Sequence, residues 1–117
     1  MLIGQLASAI AGVEGWFNPG SRAHRNDNPG NLTASFLDRR KDDAGFVVFE
    51  RREEGIAALL HQVAKDVARG LTLRQFLTKY APPSENDTER YIRAVADETG
   101  VDPDAPLWSY LLLPKLR

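Results

Sequence analysis

Ala9-Ile10-Ala11-Gly12-Val13-Glu14-Gly15-Trp16-Phe17 orients the reading of the whole chain. Upstream, Ile3, Leu6, Ala7, Ile10 and Val13 recur at helical spacing. Gly15 supplies a left-handed stop, so a first helix is expected to end near Glu14. At about 100° per residue, Glu14 falls on the face of Ile3, Ala7 and Ile10. A carboxylate there is badly placed for stability, because burial and the negative end of the helix dipole both disfavour its charge. An apolar wall favours the protonated form, and Trp16 and Phe17 follow directly. Glu14 is thus the candidate catalytic acid, and the Trp16 indole offers a face for a sugar ring. The plainer reading is a half-exposed glutamate at a helix end beside a core tryptophan. With its charge disfavoured, Glu14→Gln is expected to leave stability level or raise it.

Downstream, residues 18–31 show no period. Asn18-Pro19-Gly20 and Asn28-Pro29-Gly30-Asn31 are turn signals in a loop long for so small a chain. Leu32 to Leu37 and Phe46 to Phe49 read as two short strands around Asp42-Asp43-Ala44-Gly45, which predicts a β-hairpin. The remainder reads as helix. Ile56, Leu59, Leu60, Val63 and Val67 form a stripe, Glu53 and Glu54 suit its N-terminal end, and Gly70 stops it. Thr72 and Gln75 fit a capping box, and Asn86 with Glu89 resembles a second one. The second opens a helix through Tyr91, Ile92 and Val95 that Gly100 closes. Leu107 to Leu113 is expected to pack back onto the body. The expected class is α+β, mainly α, with a helical lobe and a small β-hairpin lobe flanking a cleft, all in a single domain over residues 1–117.

Composition narrows the function. The formal net charge of −1 gives no global positive field, so no nucleic acid is expected as a partner. Arg39-Arg40-Lys41 and Arg51-Arg52 have acids beside them and read as solvated surface. Gly70-Leu71-Thr72-Leu73 faintly suggests a helix-turn-helix, but the second helix offers only Arg74, Gln75 and Lys79 as contacts. There is no cysteine, hence no disulfide, thiolate metal site or cysteine nucleophile. His24 and His61 lie far apart, so no metal and no cofactor is expected. The apolar start, Met1 to Val13, is a poor signal peptide and too short to span a bilayer. No membrane insertion is expected, and the chain is expected to be a monomer.

The order helix, carboxyl, glycine, polar turn, hairpin and helices suits a glycan cleaver, which needs a groove and a proton donor at the scissile oxygen. Asn26, Asn28 and Asn31 can offer amides to sugar hydroxyls and N-acetyl groups, although Asn-Pro-Gly-Asn is turn chemistry first. Tyr80, Asn86 and Tyr91 form a further polar and aromatic group. Their plainer roles are core rings and, for Asn86, a helix cap.

These residues together resemble the lysozyme-like peptidoglycan-cleaving domains of phages, prophages and bacterial genomes. The resemblance rests on residues 9–15, on Asn28-Pro29-Gly30-Asn31-Leu32, on Gly45-Phe46-Val47-Val48-Phe49, on residues 80–88 and on Gly100-Val101. Each is weak alone, and the ordered set is fairly specific. Asp27 departs from the asparagine expected at that position. The resemblance implies a muramidase or lytic transglycosylase, with Glu14 as acid and peptidoglycan glycan strands as partner, alongside other virion or secretion components. The glycosidase would be made in a bacterial or phage-infected cytoplasm without a recognisable signal peptide and act at the cell wall or periplasm. A retaining hydrolase needs a second carboxylate about 5–5.5 Å from the first, and an inverting one about 6.5–9.5 Å. Asp27, Asp38, Asp42, Asp43 and Glu85 are the candidates. A lytic transglycosylase needs none. The competing reading is a non-catalytic glycan-binding or virion structural domain of the same kind.

Overall fold

Apolar spacing becomes helix wherever the sequence shows a sustained 3.6-residue period. A computed structural model describes residues 2–112 as six helices: α1 Leu2–Val13, α2 Arg22–Arg25, α3 Arg52–Ala68, α4 Leu73–Tyr80, α5 Thr88–Thr99 and α6 Ser109–Leu112. α1 packs on both α3 and α5, and α4 packs on α5. Leu6 and Ile10 of α1, Val63 of α3, Phe76 and Leu77 of α4 and Val95 of α5 are fully buried in one core. Each such side chain stabilises the fold by about 1.5–3 kcal/mol relative to exposure. None of the described helices is long and apolar enough to cross a membrane.

The helix ends follow local chemistry. At the end of α1, Gly15 adopts φ +90°. Its N–H donates to Gly12 O at 3.2 Å and the Trp16 N–H to Ala11 O at 2.9 Å, which is the Schellman pattern with Glu14 as the C-cap. The Thr72 and Gln75 capping box opens α4 with both reciprocal bonds present. The cap of α5 is one residue later than the sequence suggested. Asp87 accepts from the Arg90 N–H, while the Asn86 amide turns back to Pro82 O at 3.2 Å.

The expected α+β class needs correction, because the described residues contain no strand and no hairpin lobe. Between residues 32 and 50 there is only an isolated antiparallel bridge, Lys41 to Val47. The reason lies in where the backbone donors go. The N–H of Val47 donates to Leu32 O, that of Val48 to Arg40 O and that of Phe49 to Asn26 O, each at 2.9 Å. Successive N–H groups of an extended chain point to opposite edges, so a ladder needs Val47 and Phe49 to share one partner strand, and their acceptors lie in separate segments. Alternation in 46–49 is nevertheless present, since Val47 and Phe49 are buried and Phe46 and Val48 only partly so. They join Leu32 and Ala58 in a second small core. Residues 33–37 mostly face outward, with the Ser35 hydroxyl bonded to Leu37 in a local turn.

This segment is fastened to the helices by close backbone approach and by charge. A Cβ on Gly55 would stand 1.9 Å from Asp27 O, so only glycine lets the first turn of α3 meet the 27–29 backbone. The Arg39 guanidinium holds Glu54 of α3 through two bonds, at 3.0 and 2.7 Å. Arg39 is therefore a clamp rather than a solvated surface charge. At the other end of the chain, Leu107 is fully buried and donates its N–H to Leu71 O, while Trp108 and Leu111 stay exposed. Leu113, the last residue of that expected segment, lies outside the described residues.

Candidate functional site

Glu14 sits at the C-cap of α1, where the Schellman turn ends the helix and swings the chain away at Trp16. One carboxyl oxygen, Oε1, accepts from Asn31 Nδ2 at 2.9 Å, and Oε2 accepts from the Tyr91 hydroxyl at 2.8 Å. The same Asn31 amide also donates to the Glu14 carbonyl at 3.3 Å. Three elements thus meet on one carboxyl: the end of α1, the 28–31 turn and α5.

Each donor is itself positioned. Asn31 has φ +47°, which its turn imposes, and its N–H donates to Asn28 O. Its Oδ1 is shut off from solvent with no partner, alone in this among side-chain atoms of the described residues. An unpaired buried acceptor costs roughly 1–3 kcal/mol, so holding Glu14 in this way carries a local penalty. Tyr91 is only 6% exposed. Burial, followed by the neighbouring Glu14 charge, drives its phenol far above the ordinary tyrosine range, so it remains a donor. Tyr80 is pushed up by the same two causes in the same order, and its hydroxyl donates to Gly30 O. Tyr80 therefore braces the turn that carries Asn31.

Glu14 opens onto a hollow of about 390 Å³ whose wall includes Val13, Asn86, Asp87, Arg90 and Tyr91. The expected cleft between two lobes is thus replaced by a hollow between two helices, the end of α1 and the first turns of α5. A larger hollow of about 560 Å³ lies across α5, around Arg74, Arg93 and Tyr110. It holds none of the candidate site residues, and Arg74 there is already engaged by Glu89 and Asp104.

The sequence-derived set divides clearly. Glu14, Asn31 and Tyr91 are joined by direct bonds, Tyr80 stands behind them, and Asn86 lines the same hollow. Asn28 and Trp16 do not. Asn28 is 0% exposed, and its amide is spent on Leu32 O, Val47 O and the Leu32 N–H. Trp16 is half-buried against the main core, with its ring 5.8 Å from that of His24. Phe17 is 71% exposed and lies over Gly12.

None of the five candidate second carboxylates lines the hollow. Asp42 is consumed within its own loop. It accepts from Phe46 N, Ala44 N and Asn26 Nδ2, and these bonds hold it below the usual carboxylate range, the Phe46 bond foremost. The carboxyl that does share the hollow with Glu14 is Asp87. Sequence reasoning missed both Asp87 and Arg90. The one signal was Asn86-Asp87 before a helix, where either residue makes a good cap and only the backbone decides which does. Among the described residues, no three His, Asp or Glu side chains gather as metal ligands would. Compared with protein-family models, curated proteins and solved structures, the chain matches none.

Proposed function

We propose that this protein binds a peptidoglycan glycan strand at the Glu14 hollow and cleaves the β-1,4 bond between N-acetylmuramic acid and N-acetylglucosamine. The observation that carries the reading is the Glu14 carboxyl, held by one donor on each oxygen at the wall of a solvent-facing hollow. An ionised carboxylate has about four lone-pair sites. Asn31 and Tyr91 occupy two, which leaves room for a proton directed at a bound glycosidic oxygen. Fixing the carboxyl from two sides restricts its rotamers, which is what a proton donor needs.

In this reading Glu14 protonates the leaving oxygen as the bond to the anomeric carbon breaks. We favour the transglycosylase route, because it needs no second acid and the carboxyl that shares the hollow, Asp87, is engaged as the α5 cap. The muramic 6-hydroxyl oxygen then bonds to the anomeric carbon and returns its proton to Glu14. Asp87 is the residue for a hydrolytic route, in which water takes the place of the 6-hydroxyl. Tyr91 and Asn31 position the acid. Asn86 remains the nearest candidate for a sugar contact. The lysozyme-like resemblance agrees with this role for Glu14, and the site of action would be the cell wall or periplasm.

One observation favours a second reading. The Tyr91, Glu14 and Asn31 bonds also tie three elements together, as a strut would in a non-catalytic glycan-binding or virion structural domain.

Glu14→Gln separates the two. Turnover of purified sacculi, with mass analysis of the products, should fall by about 10²–10⁴-fold. Anhydro ends in the wild-type products would identify the transglycosylase route. Glutamine keeps the shape but has one acceptor oxygen for two donors, so one bond to Asn31 or Tyr91 is lost and the melt should drop by the equivalent of about 1–2 kcal/mol. That reverses the expectation of level or raised stability, because the two donors were invisible in the sequence. Unchanged turnover in the variant would overturn the mechanism. Inactivity of both forms with retained glycan binding would leave the binding-domain reading.

A further inference from the structure

Arg90 stands on the third residue of α5 and lines the Glu14 hollow. Arg22, Arg39, Arg69, Arg74 and Lys79 each have a carboxylate within 4 Å. Arg90 has none among the described residues, although Asp87 is three positions away on the same helix mouth. The Asp87 carboxylate is turned to the Arg90 backbone N–H at 3.3 Å, where it caps the helix. The guanidinium is left exposed and free at the wall of the hollow, on the same helix as Tyr91, whose hydroxyl reaches Glu14.

We infer that Arg90 is a specificity-determining residue of this site, whose guanidinium takes a lactyl or stem-peptide carboxylate of the strand and so discriminates against a neutral N-acetylglucosamine polymer. This rests on the glycan-cleaving reading of Glu14. The chemistry follows from the difference between the two polymers. Muramic acid carries a lactyl group, bearing either its own carboxylate or a peptide stem with further carboxylates. Chitin-type chains have the same β-1,4 backbone and N-acetyl groups without a charge. The planar guanidinium is suited to a carboxylate, which it can take in a forked pair. Asp87, already in the hollow, would repel a further anion unless a cation offset it. Arg90 supplies that cation without pairing with the Asp87 carboxylate.

The test measures binding and cleavage of muropeptide-bearing glycan strands and of the N-acetylglucosamine hexamer. The proteins are wild type, Arg90→Gln, Arg90→Lys and Glu14→Gln. Arg90 stays solvent-facing, so a loss of about 5-fold in affinity for the muropeptide strands is expected for Arg90→Gln. Binding of the hexamer should be unchanged, and the thermal melt as well. Arg90→Lys should recover part of the loss, and raised salt should shrink the difference between wild type and Arg90→Gln. Equal losses on both glycans, or no loss on either, would overturn the role of Arg90. The Glu14→Gln arm tells that failure apart from failure of the larger reading. If Glu14→Gln still loses cleavage, the reaction stands and only the selectivity is wrong. If wild type neither binds nor cleaves either glycan, both proposals fall together.

Discussion

The helical body and the 26–50 segment reach order by different physics. In the body, α1, α3, α4 and α5 bury long apolar stripes against one another, and their backbone bonds are internal to each helix. In the segment, a small core of Leu32, Val47 and Phe49 against Ala58 of α3 has too little area to order twenty-five residues by itself. Polar side chains complete the work there. Asn28 brackets Leu32 and Val47, Asp42 gathers the backbone of Ala44 and Phe46, Asn26 bonds Asp42, and Arg39 grips Glu54. Backbone groups that a strand ladder would satisfy are satisfied one at a time by side chains and scattered carbonyls. The division is not absolute, since the body also carries a buried carboxylate, Asp66, bonded to Lys79 at 2.7 Å and to Gln62. Periodicity therefore specifies the body, whereas individual polar residues specify the segment.

The largest expected effect lies in the body. Phe76 is fully buried between helices, and Phe76→Ala should cost about 4 kcal/mol in urea unfolding through lost burial and a residual cavity. Protection from hydrogen exchange should fall across all the helices together. A cost under about 1 kcal/mol would mean that apolar packing is not what holds the body.

Next comes the bracket. Asn28→Ala removes the acceptor of the Leu32 N–H and the amide that donates to the Leu32 and Val47 carbonyls. The expected cost is about 2–3 kcal/mol, since buried polar groups are left unpaired. Exchange should rise first at Leu32, Asn31 and Val47, ahead of any change in α4. Uniform loss throughout the molecule would erase the distinction between the two regions. Because the same turn carries Asn31, the proposed glycan cleavage should fall more steeply than stability does.

The smallest effect is the pH dependence of the Arg39 clamp. Hydrogen bonding to Arg39, foremost among the causes, lowers the Glu54 carboxyl from its ordinary 4.5 to about 2. A depressed folded value means the contribution is fully present above about pH 4.5 and is lost as pH falls through the window toward 2. The urea midpoint of wild type should therefore decline across that window more steeply than that of Glu54→Gln. Both side chains retain some solvent contact, at 24% and 18% exposure, so the difference in slope should be small and weaker in high salt. Parallel slopes would show that the clamp does not tie the segment to α3.

The candidate site was legible in part for the same reason the body was. Glu14 could be singled out because a charge on an apolar helix face conflicts with stability, and that conflict is visible in one segment. Tyr91 could be placed on a helix face and Asn31 in a turn, yet nothing in the spacing said that both would reach one carboxyl. They lie 17 and 77 residues from Glu14. Asn28 was read partly as turn chemistry, and its three backbone bonds agree with that role. Trp16 looked like the sugar platform because it adjoins Glu14 in sequence. Beyond a Schellman turn, adjacent residues point in different directions, and Trp16 goes to the core.

By itself the sequence determined the helices of the body, their stops at Gly15, Gly70 and Gly100, the Thr72 capping box and the alternation of Val47 and Phe49. Those features depend on periods and caps read within a few residues, where local sterics and local hydrogen bonds decide the outcome. Tertiary structure alone decided that 32–50 forms no hairpin and that Asn31 and Tyr91 converge on Glu14. A strand exists only if its backbone donors find a common partner strand, and a carboxyl gains partners only when distant elements pack beside it. Neither condition is a property of a short window, since each depends on which surfaces the helices leave facing one another.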